Sequence, residues 1–145
     1  MHKNIETIKN NESSPRIIKN IFDKEEIKKF LQLYHELPTT VHNKKQNVIK
    51  KRWLIEYGEG LEKLFYKKLK NEIGDFKYDN LKTEENNEIY GLFQESYNPI
   101  GLHIDGGFNL EDVIYKQSLI PLTSTGSTVV FKNRFYGNST NFTLN

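Results

Sequence analysis

Cysteine and alanine are both missing from this chain of 145 residues. Without cysteine there is no disulfide framework, no thiolate chemistry and no zinc site built on sulfur. The missing alanine, beside abundant Lys, Asn and Ile, reads as the codon supply of an AT-rich genome and carries nothing about function. Charge of one sign is also missing. The formal net charge is +2, too small to point by itself to a nucleic-acid or membrane partner. No stretch approaches the roughly 20 consecutive apolar residues of a spanning helix, and residues 1–16 hold no apolar run of the kind that marks a secretory signal. A cytoplasmic protein without membrane attachment is expected. The Asn-x-Ser/Thr triplets at Asn11, Asn138 and Asn141 are then ordinary surface polar residues.

What is present is enough for one domain. Hydrophobic residues make up 36% and charged residues 28%, a soluble composition with a modest core. Residues 1–15 read as a flexible tail and residues 16–145 as one domain. Residues 16–21 suggest a short strand. Asp23-Lys24-Glu25-Glu26 has the form of a capping box, with Asp23 as N-cap and Glu26 at N3. The helix it opens carries Ile27, Phe30, Leu31 and Tyr34 at spacings of three and four, and Pro38 limits it. Residues 39–56 show no clear period. A second helix spans about 59–73, with Leu61, Leu64, Phe65, Leu69 and Ile73 as its stripe and Gly74 just past its end. Residues 79–88 read as a polar loop.

After Glu88 the helical spacing stops and β-type segments take over, at residues 89–97, 102–105, 113–122 and 127–132. Asn98-Pro99, Asp105-Gly106-Gly107 and Ser124-Thr125-Gly126 separate them as turns. Helices followed by short strands predict an α+β fold, with residues 16–88 as helical support and 89–145 as the sheet. Four short strands cannot close a barrel, so the β part reads as incomplete.

The chemical signal is His103-Ile104-Asp105. On a strand, residues two apart share a face, so His103 and Asp105 can reach one metal ion while Ile104 packs the other way. An imidazole and a carboxylate are two of the three ligands of the facial triad of non-heme Fe(II) oxygenases, whose opposite face stays open for cosubstrate and dioxygen. With four His and five Asp in the chain, chance yields such a triplet about one time in seven. The triplet therefore gains weight only from its setting, a β segment before and Gly106-Gly107 directly after.

That setting, Glu95-Ser96-Tyr97-Asn98-Pro99-Ile100-Gly101-Leu102-His103-Ile104-Asp105-Gly106-Gly107, resembles the start of the double-stranded β-helix in the iron(II)- and 2-oxoglutarate-dependent dioxygenases. Tyr115 to Leu122 and Gly126 to Phe131 look like the next two strands. The likeness covers about residues 89–136. It implies helices packed on an incomplete double-stranded β-helix, or jelly roll, with Fe(II) held by His103 and Asp105. It also implies an oxygenase that hydroxylates a small-molecule or peptidyl substrate while decarboxylating 2-oxoglutarate to succinate. Tyr97 and Gln117 are the candidates for binding 2-oxoglutarate.

The departure from the family pattern is equally specific. The family's third ligand is a distal His, followed by an Arg or Lys for the far carboxylate of 2-oxoglutarate, and no histidine follows His103. The expectation is a chain that ends before the second half of the barrel, weak in iron and in turnover by itself. His2, His35 and His42 read as surface residues. A second reading is a non-catalytic jelly-roll domain for binding or assembly. The basic cluster Lys44, Lys45, Lys50, Lys51 and Arg52, next to Trp53, lacks a recognition motif. It is read as a solvated face, and no nucleic-acid partner is expected.

Overall fold

A computed structural model of the chain describes residues 15–39, 41–45, 47–54, 56–78, 89–97, 117–128 and 130. The chain divides into two compact units, Lys19–Ile100, and Met1–Ile18 together with Gly101–Asn145.

The first unit is α+β. Its elements in order are helix α1 (Lys24–Glu36), strands β1 (Val41–Asn43) and β2 (Val48–Leu54), helix α2 (Leu61–Ile73) and strand β3 (Ile89–Ser96). The three strands form an antiparallel sheet in the order β1-β2-β3.

Helix α1 starts where the capping box predicts. The Glu26 N–H donates to Asp23 Oδ1 at 2.8 Å and the Asp23 N–H to Glu26 Oε1 at 3.0 Å. Each bond satisfies a donor that the first turn would leave open. The helix stops one residue short of Leu37, whose ψ of 142° is the extended conformation imposed before Pro38. Its buried stripe is Glu26, Phe30 and Leu33, continued by Leu37, while Ile27, Leu31 and Tyr34 flank it half-buried. Glu26 is tolerated inside because the Lys68 ammonium of α2 bonds its Oε1 at 2.7 Å. The same ammonium bonds the Ile21 carbonyl at 2.8 Å. One lysine thus ties the start of α1 to the middle of α2.

The expected strand over residues 16–21 does not form. Asn20 sits at φ 58°, a left-handed angle that asparagine tolerates and a strand excludes. The region without a clear period is where two of the three strands lie. In β2, Val-Ile-Lys-Lys-Arg-Trp-Leu, the cations hide the alternation. Lys51 serves the fold rather than solvent. Its ammonium donates to the Tyr34 carbonyl at 2.8 Å and lies 4.1 Å from the Tyr34 ring centre. It caps a carbonyl that the last turn of α1 leaves without a helical partner, with a charge sign that suits a helix C-terminus.

Trp53, on the same strand, is 2% exposed and forms the centre of the core. Its ring meets Phe30 of α1 at 5.9 Å, Phe65 of α2 at 5.4 Å, and Tyr90 and Phe93 of β3 at 5.4 and 6.2 Å. Its indole N–H donates to the Tyr57 carbonyl at 3.0 Å. Gly58 follows at φ 68°, and a Cβ there would stand 3.2 Å from both Leu33 methyl groups. The angle favours glycine, and a side chain there would also have to push Leu33 back by a few tenths of an ångström. Tyr90 stands between the pairs Trp53↔Gly91 and Leu54↔Ile89, the extra residue of a bulge.

In the second unit, residues 117–128 form no strand and are exposed except for Ile120 and Leu122. The expected strand over 113–122 is therefore absent across 117–122, and the one over 127–132 is absent at the described positions 127, 128 and 130. A strand is held by a ladder partner and a buried face; among the described residues this segment joins no ladder and is mostly exposed. The segment at 102–105 lies outside the described residues.

Trp53→Ala is expected to cost about 3–5 kcal/mol in chemical denaturation, because it empties the contact point of four elements. Lys51→Met keeps most of the stem and loses the cap. It is expected to cost about 1 kcal/mol and to speed amide exchange in the last turn of α1 before the rest of the helix.

Candidate functional site

The described residue nearest in sequence to the His-x-Asp triplet is Tyr97, directly after β3. Along β3 the side chains alternate from Gly91 on. Phe93 and Glu95 are half-buried, whereas Leu92, Gln94 and Ser96 are exposed. The register pairs Phe93 with Lys51 and Glu95 with Ile49, so these side chains share the face that carries Trp53. Helix α1 packs on that face, with the Tyr34 ring 5.9 Å from Phe93.

Glu95 is where the polar bonds of this face converge. The Tyr34 hydroxyl donates to its Oε2 and the Tyr97 hydroxyl to its Oε1. These two bonds, Tyr34 first, hold its carboxyl below the usual glutamate value, and the positive fields of His35 and Lys51 act in the same direction. Burial pushes the Tyr34 hydroxyl up to about 12, with the Glu95 bond adding to it. The Tyr97 hydroxyl is raised by its bond to Glu95. Both phenols therefore stay protonated donors at neutral pH. The Tyr97 backbone is held as well, its N–H donating to the Asn47 carbonyl at 3.1 Å. Asn47 closes the β1–β2 hairpin at φ 54°.

Tyr97 is 57% exposed, and its hydroxyl is engaged by Glu95. Gln117 is exposed and lies in the second unit. His103 and Asp105 lie outside the described residues, as does His2. His35 and His42 are exposed, on α1 and β1. Among the described residues, no three of His, Asp and Glu stand close enough to hold a metal ion, and no helix is long and apolar enough to cross a membrane. The basic cluster divides. Lys44 and Lys45 are exposed in the hairpin loop, while Lys51 and Trp53 are built into the packing of α1 on the sheet.

Sequence reasoning missed Glu95 and Tyr34. Both were in view, Tyr34 in a helical stripe and Glu95 at the head of the quoted motif. Their bond spans 61 positions, and no local pattern encodes it.

Away from this face, Tyr66, Phe76, Tyr78 and Tyr90 form a second aromatic group, with Tyr78 5.4 Å from Phe76 and 5.2 Å from Tyr90. The Tyr78 hydroxyl is buried without a hydrogen-bond partner among the described residues. Burial pushes it up to about 12, and the Glu62 carboxylate adds to this.

No family model matches the chain, and neither a curated protein nor a solved structure does.

Proposed function

We propose that the chain is an iron(II)- and 2-oxoglutarate-dependent oxygenase, built on the opening strands of a double-stranded β-helix, with His103 and Asp105 as two of the iron ligands. The observation that carries this reading is the run His103-Ile104-Asp105-Gly106-Gly107, set behind the Asn98-Pro99 turn. Neutral imidazole and carboxylate are donors that suit Fe(II), and the i, i+2 spacing on extended backbone turns both to one side. The α+β architecture, helices on an antiparallel sheet, agrees with the support such a site needs.

On this reading iron supplies the oxidative decarboxylation of 2-oxoglutarate to succinate, coupled to hydroxylation of a substrate C–H bond. His103 and Asp105 fix the metal, and Asp105 offsets part of its charge. Tyr97 and Gln117 are the candidates for 2-oxoglutarate, Tyr97 as a donor only when its hydroxyl leaves Glu95. The 145 residues hold no histidine after position 103, and the third ligand is left unassigned.

Fe(II) titration under anaerobic conditions tests the assignment directly. His103→Ala and Asp105→Ala are each expected to weaken binding at least about tenfold, the lower end of what losing even a supporting hydrogen-bond partner costs a metal site. Two protein ligands hold iron less firmly than three, so succinate release from 2-oxoglutarate by the 145-residue chain is expected to be low. Unchanged Fe(II) affinity in both variants overturns the metal assignment. Iron bound through both residues, with no succinate under any condition, moves the reading to a non-catalytic binding domain.

A further inference from the structure

The Glu95 carboxylate carries two bonds that the proposed iron chemistry does not use. Each oxygen accepts one phenol, Oε2 from Tyr34 on helix α1 and Oε1 from Tyr97 after β3. Residues 95 and 97 differ by two and share one side of extended backbone. Tyr34 reaches the same carboxylate from the last turn of α1, where Lys51 holds its carbonyl at 2.8 Å. Tyr97 is exposed and would otherwise be free to turn about its χ1.

We infer that Glu95 is the positioning residue for Tyr97, clamping its hydroxyl to helix α1 through the shared Tyr34–Glu95–Tyr97 hydrogen bonds. The inference concerns this chain's own residues and stands whether or not iron binds. It rests on the proposed function only for what Tyr97 would then be aimed at.

The clamp has a definite pH dependence. The charged and titratable groups facing Glu95 are Tyr34 and His35 from α1, Lys51 from β2 and Tyr97 from the end of β3. The carboxylate accepts both phenols only when ionised. Its folded value lies below the ordinary 4.5. The stabilisation is therefore present above the ordinary value and is lost as pH falls through the lowered one. At neutral pH the clamp is closed.

Carboxyl-carbon NMR of Glu95 and fluorine NMR of a fluorotyrosine at position 97 test the clamp in the full chain, without metal. In the wild-type chain the Glu95 carboxyl is expected to titrate below 4.5. Tyr34→Phe should return it toward that value, and by more than Tyr97→Phe, because the Tyr34 bond is the larger cause. The fluorine signal at 97 should move in step with the Glu95 titration. It should shift in Tyr34→Phe, and Glu95→Gln should abolish that response. A residue acting only through general stability would leave the signal at 97 indifferent to residue 34. Trp53 fluorescence checks that each variant is folded. An unshifted Glu95 titration, or a position-97 signal blind to both Glu95→Gln and Tyr34→Phe, overturns the inference. Because no metal is present, neither result bears on His103 and Asp105, which the Fe(II) titration tests separately.

Discussion

The burial of Trp53 is the constraint from which the rest of the first unit follows. Its ring meets residues of both helices and of β3. Aromatic pairs at these separations contribute beyond the area they bury. A buried indole also needs an acceptor for its N–H, and the chain supplies one by folding the turn after β2 back over the ring, Tyr57 giving its carbonyl. That turn in turn needs the left-handed Gly58 against Leu33. A loop conformation, a glycine and the seating of two helices thus trace back to one side chain in an otherwise basic strand.

Around this apolar centre two polar ties each serve two purposes. Glu26 completes the cap of α1 and, through Lys68, joins it to α2 and to the chain just before the cap. Lys51 closes the other end of α1 and joins it to β2. A cation buried along its stem with its head on a helix carbonyl loses little solvation, because the amine end stays near water. Lysine in the middle of a core strand is tolerated here for that reason. It is also why a cluster that looks like a basic surface in the sequence is partly internal structure.

What the sequence made legible is what local chemistry decides. The Asp23–Glu26 box, the stop before Pro38, the end of α2 at Gly74 and the strand beginning at Ile89 follow from backbone preferences within a few residues. Strand β2 was hidden because its faces are separated by packing rather than by polarity, with lysine and tryptophan side by side. The failed strand over 117–122 shows the converse. Leu119, Ile120 and Leu122 have the apolar character of a strand, yet Leu119 is 63% exposed and, among the described residues, the segment joins no ladder. Propensity without a partner does not make a ladder. Of the candidate site, Tyr97 was named from its place in the motif. The Glu95 contact that governs its hydroxyl depends on a helix 61 positions away.

The position of Glu95 has a physical logic. A carboxylate deep in the core would be driven toward its neutral form, and one in open water would hold nothing in place. Glu95 lies at the margin, where desolvation raises its pKa less than the two phenols lower it. It therefore remains charged while bonded. Phe93, two residues earlier on the same face, meets both Trp53 and Tyr34. The rigid aromatic centre is thus continued through Phe93 and Tyr34 to Glu95, and through Glu95 to Tyr97. Each step of this route is either a packed ring or a charge-assisted hydrogen bond, both with few alternative arrangements. Tyr97, exposed at the end of β3, is in this way joined by a hydrogen bond to a side chain anchored on the packed aromatic centre.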